Sequence, residues 1–273
     1  MPATIPQPDP ASPERPLNGQ VAIISGGLGD IGRAIALELA RQGAEVAVGD
    51  LLEPAQAEPL LEQVRATGRR ARYDRVDVAD WTAVESWVSA VEGELGAVTC
   101  VIPNAAIVHF APLPQLTADQ WRRELAVNLD GAFHLAQAAA LRLLALKRPG
   151  RIVFVGSWAG HAVHTGIPTY CVSKAGLRML CRCMAAELSP HGILVNEIAP
   201  GYVDAGLTGR YYRSHPGAAE RDRQSVPVRL LIEPEEVAVQ VAWLCHPTNR
   251  HMAGATIVMD GGLSLYGAGG RRD

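Results

Sequence analysis

Strand-like and helix-like segments alternate through nearly the whole chain, and that alternation narrows its fold more than any other feature. Val21-Ala-Ile-Ile24 is a short continuous apolar run, and residues 31–42 then repeat apolar positions at helical spacing. Glu45 to Val48, ending at Asp50, reads as a second strand. The same pattern predicts helices around 55–66 and 80–92, strands around 71–76 and 98–102, and a long alanine- and leucine-rich helix over 119–146. Beyond it lie a strand over 151–155, a helix over 169–188, a strand over 193–198, a helix over 235–245 and a last strand over 256–259. Continuous β-branched runs are strands covered on both faces, which demands helices above and below a parallel sheet. Right-handed crossovers then give an α/β fold, a single Rossmann-like doubly wound parallel β-sheet with helices on both faces. Ligands of such sheets bind at the carboxyl ends of the strands.

The length of 273 residues, 48% of them hydrophobic, suits one large domain with a substantial core. A formal net charge of -3 gives no global electrostatic case for nucleic acid or an anionic membrane. No apolar run is long enough to span a bilayer, and the N-terminus lacks a signal pattern. Cysteines at 100, 171, 181, 183 and 245 are odd in number and lack metal-site spacing. They read as reduced thiols of a cytoplasmic protein with no metal. Residues 1–17 carry six prolines and are expected to form a disordered arm ahead of a catalytic domain over 18–273. The stretch 202–226 interrupts the alternation; it is polar, arginine-rich and irregular, and is a candidate substrate lid.

Ser25-Gly-Gly-Leu-Gly-Asp-Ile-Gly32 joins the first strand to the first helix. Glycines there permit a tight turn, and a helix N-terminus offers free N–H groups to a pyrophosphate. Asp50 ends the second strand, 18 residues past Gly32. A carboxylate at that place accepts hydrogen bonds from both adenosine ribose hydroxyls and repels a 2′-phosphate, so NAD is the expected cofactor. A cap for the following helix is the other reading of Asp50.

Ser157 follows the strand over 151–155, and Tyr170 comes thirteen residues later. Tyr170 and Lys174 are spaced i, i+4 on a predicted helix and share one face, a spacing that by itself is also that of an ordinary surface helix pair. A phenol of ordinary pKa ~10 is a poor base at neutral pH, and a neighbouring ammonium favours its phenolate. Ser157 is placed to hold a substrate oxygen.

Further segments complete an ordered set that closely resembles the short-chain dehydrogenase/reductase family from about Gly19 to Leu263. They are the turn 25–32, Asp77-Val78, Pro103-Asn104-Ala105-Ala106, Asn128, the Ser157/Tyr170/Lys174 trio, Pro200-Gly201 and Asp260-Gly261-Gly262. The resemblance implies an NAD-dependent oxidoreductase interconverting a secondary alcohol and a carbonyl. Tyr170 would be the general acid/base, Lys174 its partner and a ribose ligand, Ser157 the orienting hydroxyl, and Asn128 the holder of a relay water. Ser25, Gly26, Asp30, Ile31, Asp50, Asp77, Val78, Asn104, Tyr170, Lys174, Pro200 and Val203 would bind the cofactor. The resemblance also implies a small-molecule substrate and a homo-oligomer, a tetramer or a dimer.

Four departures from the family pattern stand out. Asp30 replaces the middle glycine of the turn; it either faces the phosphates or, the favoured reading, caps the helix. Pro103 and Ala106 replace an asparagine and a glycine, Ala205 replaces a threonine with Thr208 close by, and Gly156 replaces a serine. For substrate contacts the candidates are Ser157, Tyr170, Trp158, His164 and Tyr202, with His109 and His161 beside them. Trp158 is as readily a core residue. Polar pocket loops and only three phenylalanines favour a sugar or other polyol. A 3-oxoacyl-thioester reductase and a non-catalytic NAD-binding redox sensor are the alternatives.

Overall fold

A computed structural model describes residues 15–265, the side chain of Arg210 excepted. The chain runs β1 (Val21–Ser25), α1 (Asp30–Arg41), β2 (Glu45–Asp50), α2 (Glu58–Ala66), β3 (Ala71–Arg75), α3 (Trp81–Leu95) and β4 (Cys100–Ile102). It continues with α4 (Ala118–Leu125), α5 (Gly131–Leu146), β5 (Gly150–Val155), α6 (Pro168–Leu188) and β6 (Ile193–Pro200). The last elements are α7 (Gly206–Ser214), α8 (Ala218–Ser225), α9 (Pro234–Cys245) and β7 (Thr256–Met259).

The seven strands form one parallel sheet in the order β3-β2-β1-β4-β5-β6-β7. Because side chains alternate across a strand, neighbours such as Ile23 and Ile24 enter different cores. Ile24, Val48, Val153 and Ile198 pack under Leu39, Leu60 and Val241 of α1, α2 and α9. On the other face, Ile23, Val101, Ile152 and Phe154 pack under Val88, Leu135 and Leu177 of α3, α5 and α6. Each fully buried side chain of this size contributes about 1.5–3 kcal/mol relative to exposure. The strand order reverses between β1 and β4, which opens a crevice at their carboxyl ends.

Packing begins earlier than the strand pattern suggests. Leu17, the last residue of the expected arm, is buried, and its N–H bonds to the Gln42 carbonyl at 2.9 Å. The rest of that arm, up to residue 14, lies outside the described residues.

Two further segments differ from the sequence expectation. The single helix expected over 119–146 is α4 and α5 joined by a π-helical stretch, Ala126–Asp130. A wider turn of this kind is found where a side chain must reach a specific partner. Asn128 lies within it, and its amide bonds both the N–H and the carbonyl of Ile107, at 2.8 and 2.9 Å. The stretch 202–226, read as irregular, instead holds α7 and α8. It is closed at its base, where Asp204 N–H bonds to the Ile232 carbonyl and Ile232 N–H to the Tyr202 carbonyl, each at 2.9 Å.

Candidate active site

At the carboxyl end of β1 the chain turns through Gly26, whose φ of +63° is a left-handed conformation that favours glycine. A Cβ at Gly32 would stand 2.3 Å from the Gly26 carbonyl oxygen, so the entry of α1 can lie this close to the turn only without side chains. Asn104, just past β4, clamps the turn by donating from its amide to the carbonyls of Ser25 and Gly26, each at 3.0 Å. The buried Ser25 hydroxyl accepts from the N–H groups of Asn104 and Ala105. Gly26, Asp30, Ile31 and Asn104 line a cleft of about 770 Å³, whereas Ser25 lies behind its wall and supports it.

Asp30 does not cap α1. The N-cap is Gly29, without a side-chain bond, and the Asp30 carboxylate instead accepts from the backbone N–H of Gly206 at 2.7 Å. An acid on the first residue of a helix suits the dipole, and here its oxygen is spent on the first residue of α7.

Farther along the cleft, Asp50 accepts from the N–H groups of Leu28 and Leu51, at 3.1 and 2.8 Å. Two donors to one carboxylate fix its direction. Asp77 and Val78 line the same end, and Asp77 pairs with Arg123 of α4 at 3.1 Å.

At the opposite end, Ser157, Tyr170 and Lys174 converge on the cleft. Tyr170 and Lys174 enter from successive turns of α6, with the ammonium nitrogen 5.5 Å from the tyrosine ring centroid. Lys174 is 2% exposed and donates from Nζ to the Val155 carbonyl at 2.9 Å. Burial lowers its pKa to about 8, against which the charge of Glu197 works. Burial pushes the Tyr170 phenol up to about 12, opposed by a hydrogen bond with Ser157. A phenol so placed needs added positive charge before it serves as a base near neutral pH. Asn128 lies outside the cleft wall; besides Ile107 it reaches the Ser173 hydroxyl at 3.2 Å, tying the loop after Asn104 to α6.

Beyond this trio the cleft is walled by aromatic rings. Trp158 meets His164 edge-on at 4.1 Å between centroids, and meets Tyr202 at 5.4 Å. Phe110 stacks on Tyr211 of α7 at 5.5 Å, bridging the loop after β4 to the stretch 202–226. Burial lowers the pKa of His164 and so favours its neutral ring, with the charge of Asp222 opposing. Its buried Nε2 has no hydrogen-bond partner among the described residues. Asp222 also lines the cleft and accepts from the Tyr212 hydroxyl at 2.9 Å.

The family model described as enoyl-(acyl carrier protein) reductase matches residues 27–264. The chain belongs to the short-chain dehydrogenase/reductase family. Its relatives in that family include the short-chain dehydrogenase/reductase eriH of Hericium erinaceus, 38% identical over 89% of this chain and 96% of that protein. The cis-4-hydroxycyclohexanecarboxylate dehydrogenase of Sinomonas cyclohexanicum is 34% identical over 90% of this chain and 96% of its own length. Among solved structures, a gluconate 5-dehydrogenase from Burkholderia cenocepacia, in complex with NADP and tartrate, superposes with a TM-score of 0.87. It is 28% identical and covers 94% of this chain and 99% of its own. The chain is thus an oxidoreductase of the short-chain dehydrogenase/reductase type, acting on a CH–OH centre.

Within this family member the expected residues Asp50, Asp77, Val78, Pro200, Val203, Trp158, His164 and Tyr202 all line one cleft. His109 and His161 do not. His109 is bound to the buried carboxylate of Glu124 at 2.9 Å, and His161 to the Arg178 guanidinium. Phe110, Tyr211 and Asp222 are lining residues that pattern reading did not single out as substrate contacts. Phe110 carries no local signal. Tyr211 and Asp222 stand in a run of lid charges and rings whose facing depends on how α7 and α8 fold back.

Proposed function

We propose that the chain is an NAD-dependent dehydrogenase of a cyclic secondary alcohol. The observation that carries the cofactor reading is Asp50, whose carboxylate lines the cleft at the end of β2 and is fixed in direction by two backbone N–H groups. A 2′-phosphate there would meet a carboxylate, and the next residues are Leu51 and Leu52. Arg33 and Arg75 are committed to carbonyls, of Leu28 and Gln56 and of Leu51 respectively, and neither lines the cleft. The turn fits a pyrophosphate because Gly26 and Gly32 pack so closely on Ala105 and on each other, where a Cβ would clash, that the N-terminus of α1 is brought to the cleft.

When bound, the dinucleotide supplies the hydride acceptor and donor. The chain supplies geometry and proton transfer. Ser157 Oγ holds the substrate oxygen, Tyr170 Oη takes its proton in oxidation and returns it in reduction, and the Lys174 ammonium favours the phenolate between the two events. The Lys174 side chain also faces the cleft where a nicotinamide ribose would lie, while Asp77 and Val78 would flank the adenine.

Trp158, Tyr202 and Phe110 offer ring faces and edges, with His164 and Asp222 as polar groups among them. A six-membered ring carrying a hydroxyl satisfies both, whether alicyclic or a cyclic polyol of the kind the polar loops suggested. We further read the protein as a cytoplasmic homotetramer with an N-terminal arm and a 202–226 lid. The assembly reading is supported by exposed Leu141, Leu146, Val172 and Met179 on α5 and α6, and by Val239 and Trp243 on α9. The deciding experiment is turnover of a panel of cyclic and acyclic secondary alcohols with NAD and NADP, for wild type and Asp50→Ala. Wild type is expected to favour NAD and cyclic substrates. Asp50→Ala is expected to raise the NADP/NAD ratio of kcat/KM at least about tenfold, or ~1.4 kcal/mol. A wild-type preference for NADPH with 3-oxoacyl thioesters would overturn the reading.

A further inference from the structure

Glu197 is a carboxylate buried in the sheet, beside the active site and outside the machinery described above. It is 0% exposed. Its Oε2 accepts from the Thr256 hydroxyl of β7 at 2.7 Å, and its Oε1 has no hydrogen-bond partner among the described residues. A buried carboxylate left half-satisfied is costly unless a positive charge compensates it.

Geometry shows how it is accommodated. Glu197 of β6 pairs in register with Phe154 of β5, so the next β5 residue on the same face is Gly156. A Cβ at Gly156 would stand 1.9 Å from Glu197 Oε1. Any side chain at Gly156, including the serine that the family often has there, would therefore displace the carboxylate. Val155, between Phe154 and Gly156 in the chain, provides the carbonyl that holds the Lys174 ammonium. Glycine at 156 and glutamate at 197 are thus two halves of one arrangement beneath the lysine.

We propose that Glu197 is a positioning residue for Lys174, a buried counter-charge that keeps the active-site ammonium charged in its apolar seat, and that the absent side chain at Gly156 is what admits it. This inference rests on the role assigned to Lys174 under the proposed function. The charged and titratable groups facing Glu197 are Lys174, Arg178 and Cys181, all from α6. Thr256 faces it from β7 with a neutral hydroxyl, and Gly156 from β5 with no side chain. Burial raises the Glu197 pKa, while Thr256, Lys174 and Arg178 lower it. In turn the Glu197 charge opposes the burial that lowers Lys174. Arg178 also bonds the Gly160 carbonyl and His161, whereas among the described residues Lys174 hydrogen-bonds Val155 alone.

The chain has only two lysines, Lys147 and Lys174, which makes the ammonium directly observable. Protein labelled with ε-¹³C lysine and free of cofactor is titrated by NMR, with Lys147→Arg assigning the resonances. The Lys174 resonance is expected to titrate near pH 8 in wild type. In Glu197→Gln, which keeps shape and removes charge, the midpoint is expected to fall by about one pH unit. The pH at which NAD affinity is lost should fall with it. Thr256→Val removes only the donor to Oε2 and should move the midpoint the same way by a smaller step; it serves alone if Glu197→Gln does not fold. A Lys174 midpoint unmoved in whichever of these variants folds would overturn the inference. Lys174→Met separates this failure from a failure of the proposed function: full turnover in that variant would sink the catalytic reading itself. A dead Lys174→Met together with an unmoved midpoint would sink only the role of Glu197.

Discussion

The Asp30 carboxylate accepts a 2.7 Å hydrogen bond from the N–H of Gly206, joining the glycine turn after β1 to the first residue of α7. Gly206 has a φ of +59° and nothing within 4 Å of where a Cβ would stand, so its side of this bond is backbone alone. Hydrogen bonds to a charged group contribute about 1.5–3 kcal/mol. Asp30→Ala is therefore expected to raise amide exchange across 206–214 about tenfold or more and to raise substrate KM. NAD affinity should change by less than about threefold, since the carboxylate is turned to the lid. Hydrogen exchange by mass spectrometry and steady-state kinetics check both parts. A large tightening of NAD with unchanged exchange would show that Asp30 acts on the phosphates instead.

Tyr170 carries the proton in the proposed reaction. Tyr170→Phe keeps the ring and removes the acid/base oxygen, so kcat should drop at least about a hundredfold while NAD still binds. Single-turnover kinetics and a binding titration on the same preparation test the split. Near-normal turnover would remove Tyr170 from the mechanism.

The pH dependence follows from Lys174. Its pKa lies at about 8, below the ordinary 10.5, because burial disfavours the ammonium. The charged form holds below that value and is lost above it. NAD affinity is expected to be flat from pH 6 to 7 and to weaken above about 8. For stability the sign is opposite: between about 8 and 10.5 the unfolded lysine binds more protons than the folded one, so this group makes folding more favourable as pH rises. Calorimetric NAD titrations at a series of pH values test the first statement, and a fall in affinity beginning only above pH 10 would refute it.

Trp158 stands in the aromatic wall of the cleft, against His164 and Tyr202. Trp158→Ala removes ring contacts worth about 0.5–1.5 kcal/mol beyond their area. The expected result is a KM for cyclic alcohols raised about tenfold, with a smaller effect on short acyclic alcohols. Equal effects on both classes would show that Trp158 supports the loop and does not read the ring.

Much of the fold was legible because its signals are local. A parallel strand buried on both faces needs a continuous apolar run, and a covering helix needs apolar residues at 3.6-residue spacing. The glycine turn and the Tyr170–Lys174 pair are local in the same sense. Less legible was the path of residues 126–130, where the helical period continues but a π turn presents Asn128 to Ile107. The lid was legible as an interruption and not as two helices, since α8 is strongly polar and carries little apolar periodicity.

By itself, the sequence determined the alternating sheet, and it singled out Ser157, Tyr170, Lys174 and Asp50, which the structure brings to one cleft. Tertiary structure alone decided which groups those residues meet. Asp30 finds its partner 176 residues away in the chain. Phe110 meets Tyr211, and Gly156 yields its space to Glu197. Backbone periodicity is written in neighbouring residues, but the pairing of side chains is set by where the crossovers bring distant strands and loops together. The charge state of Lys174 belongs to that second kind of information.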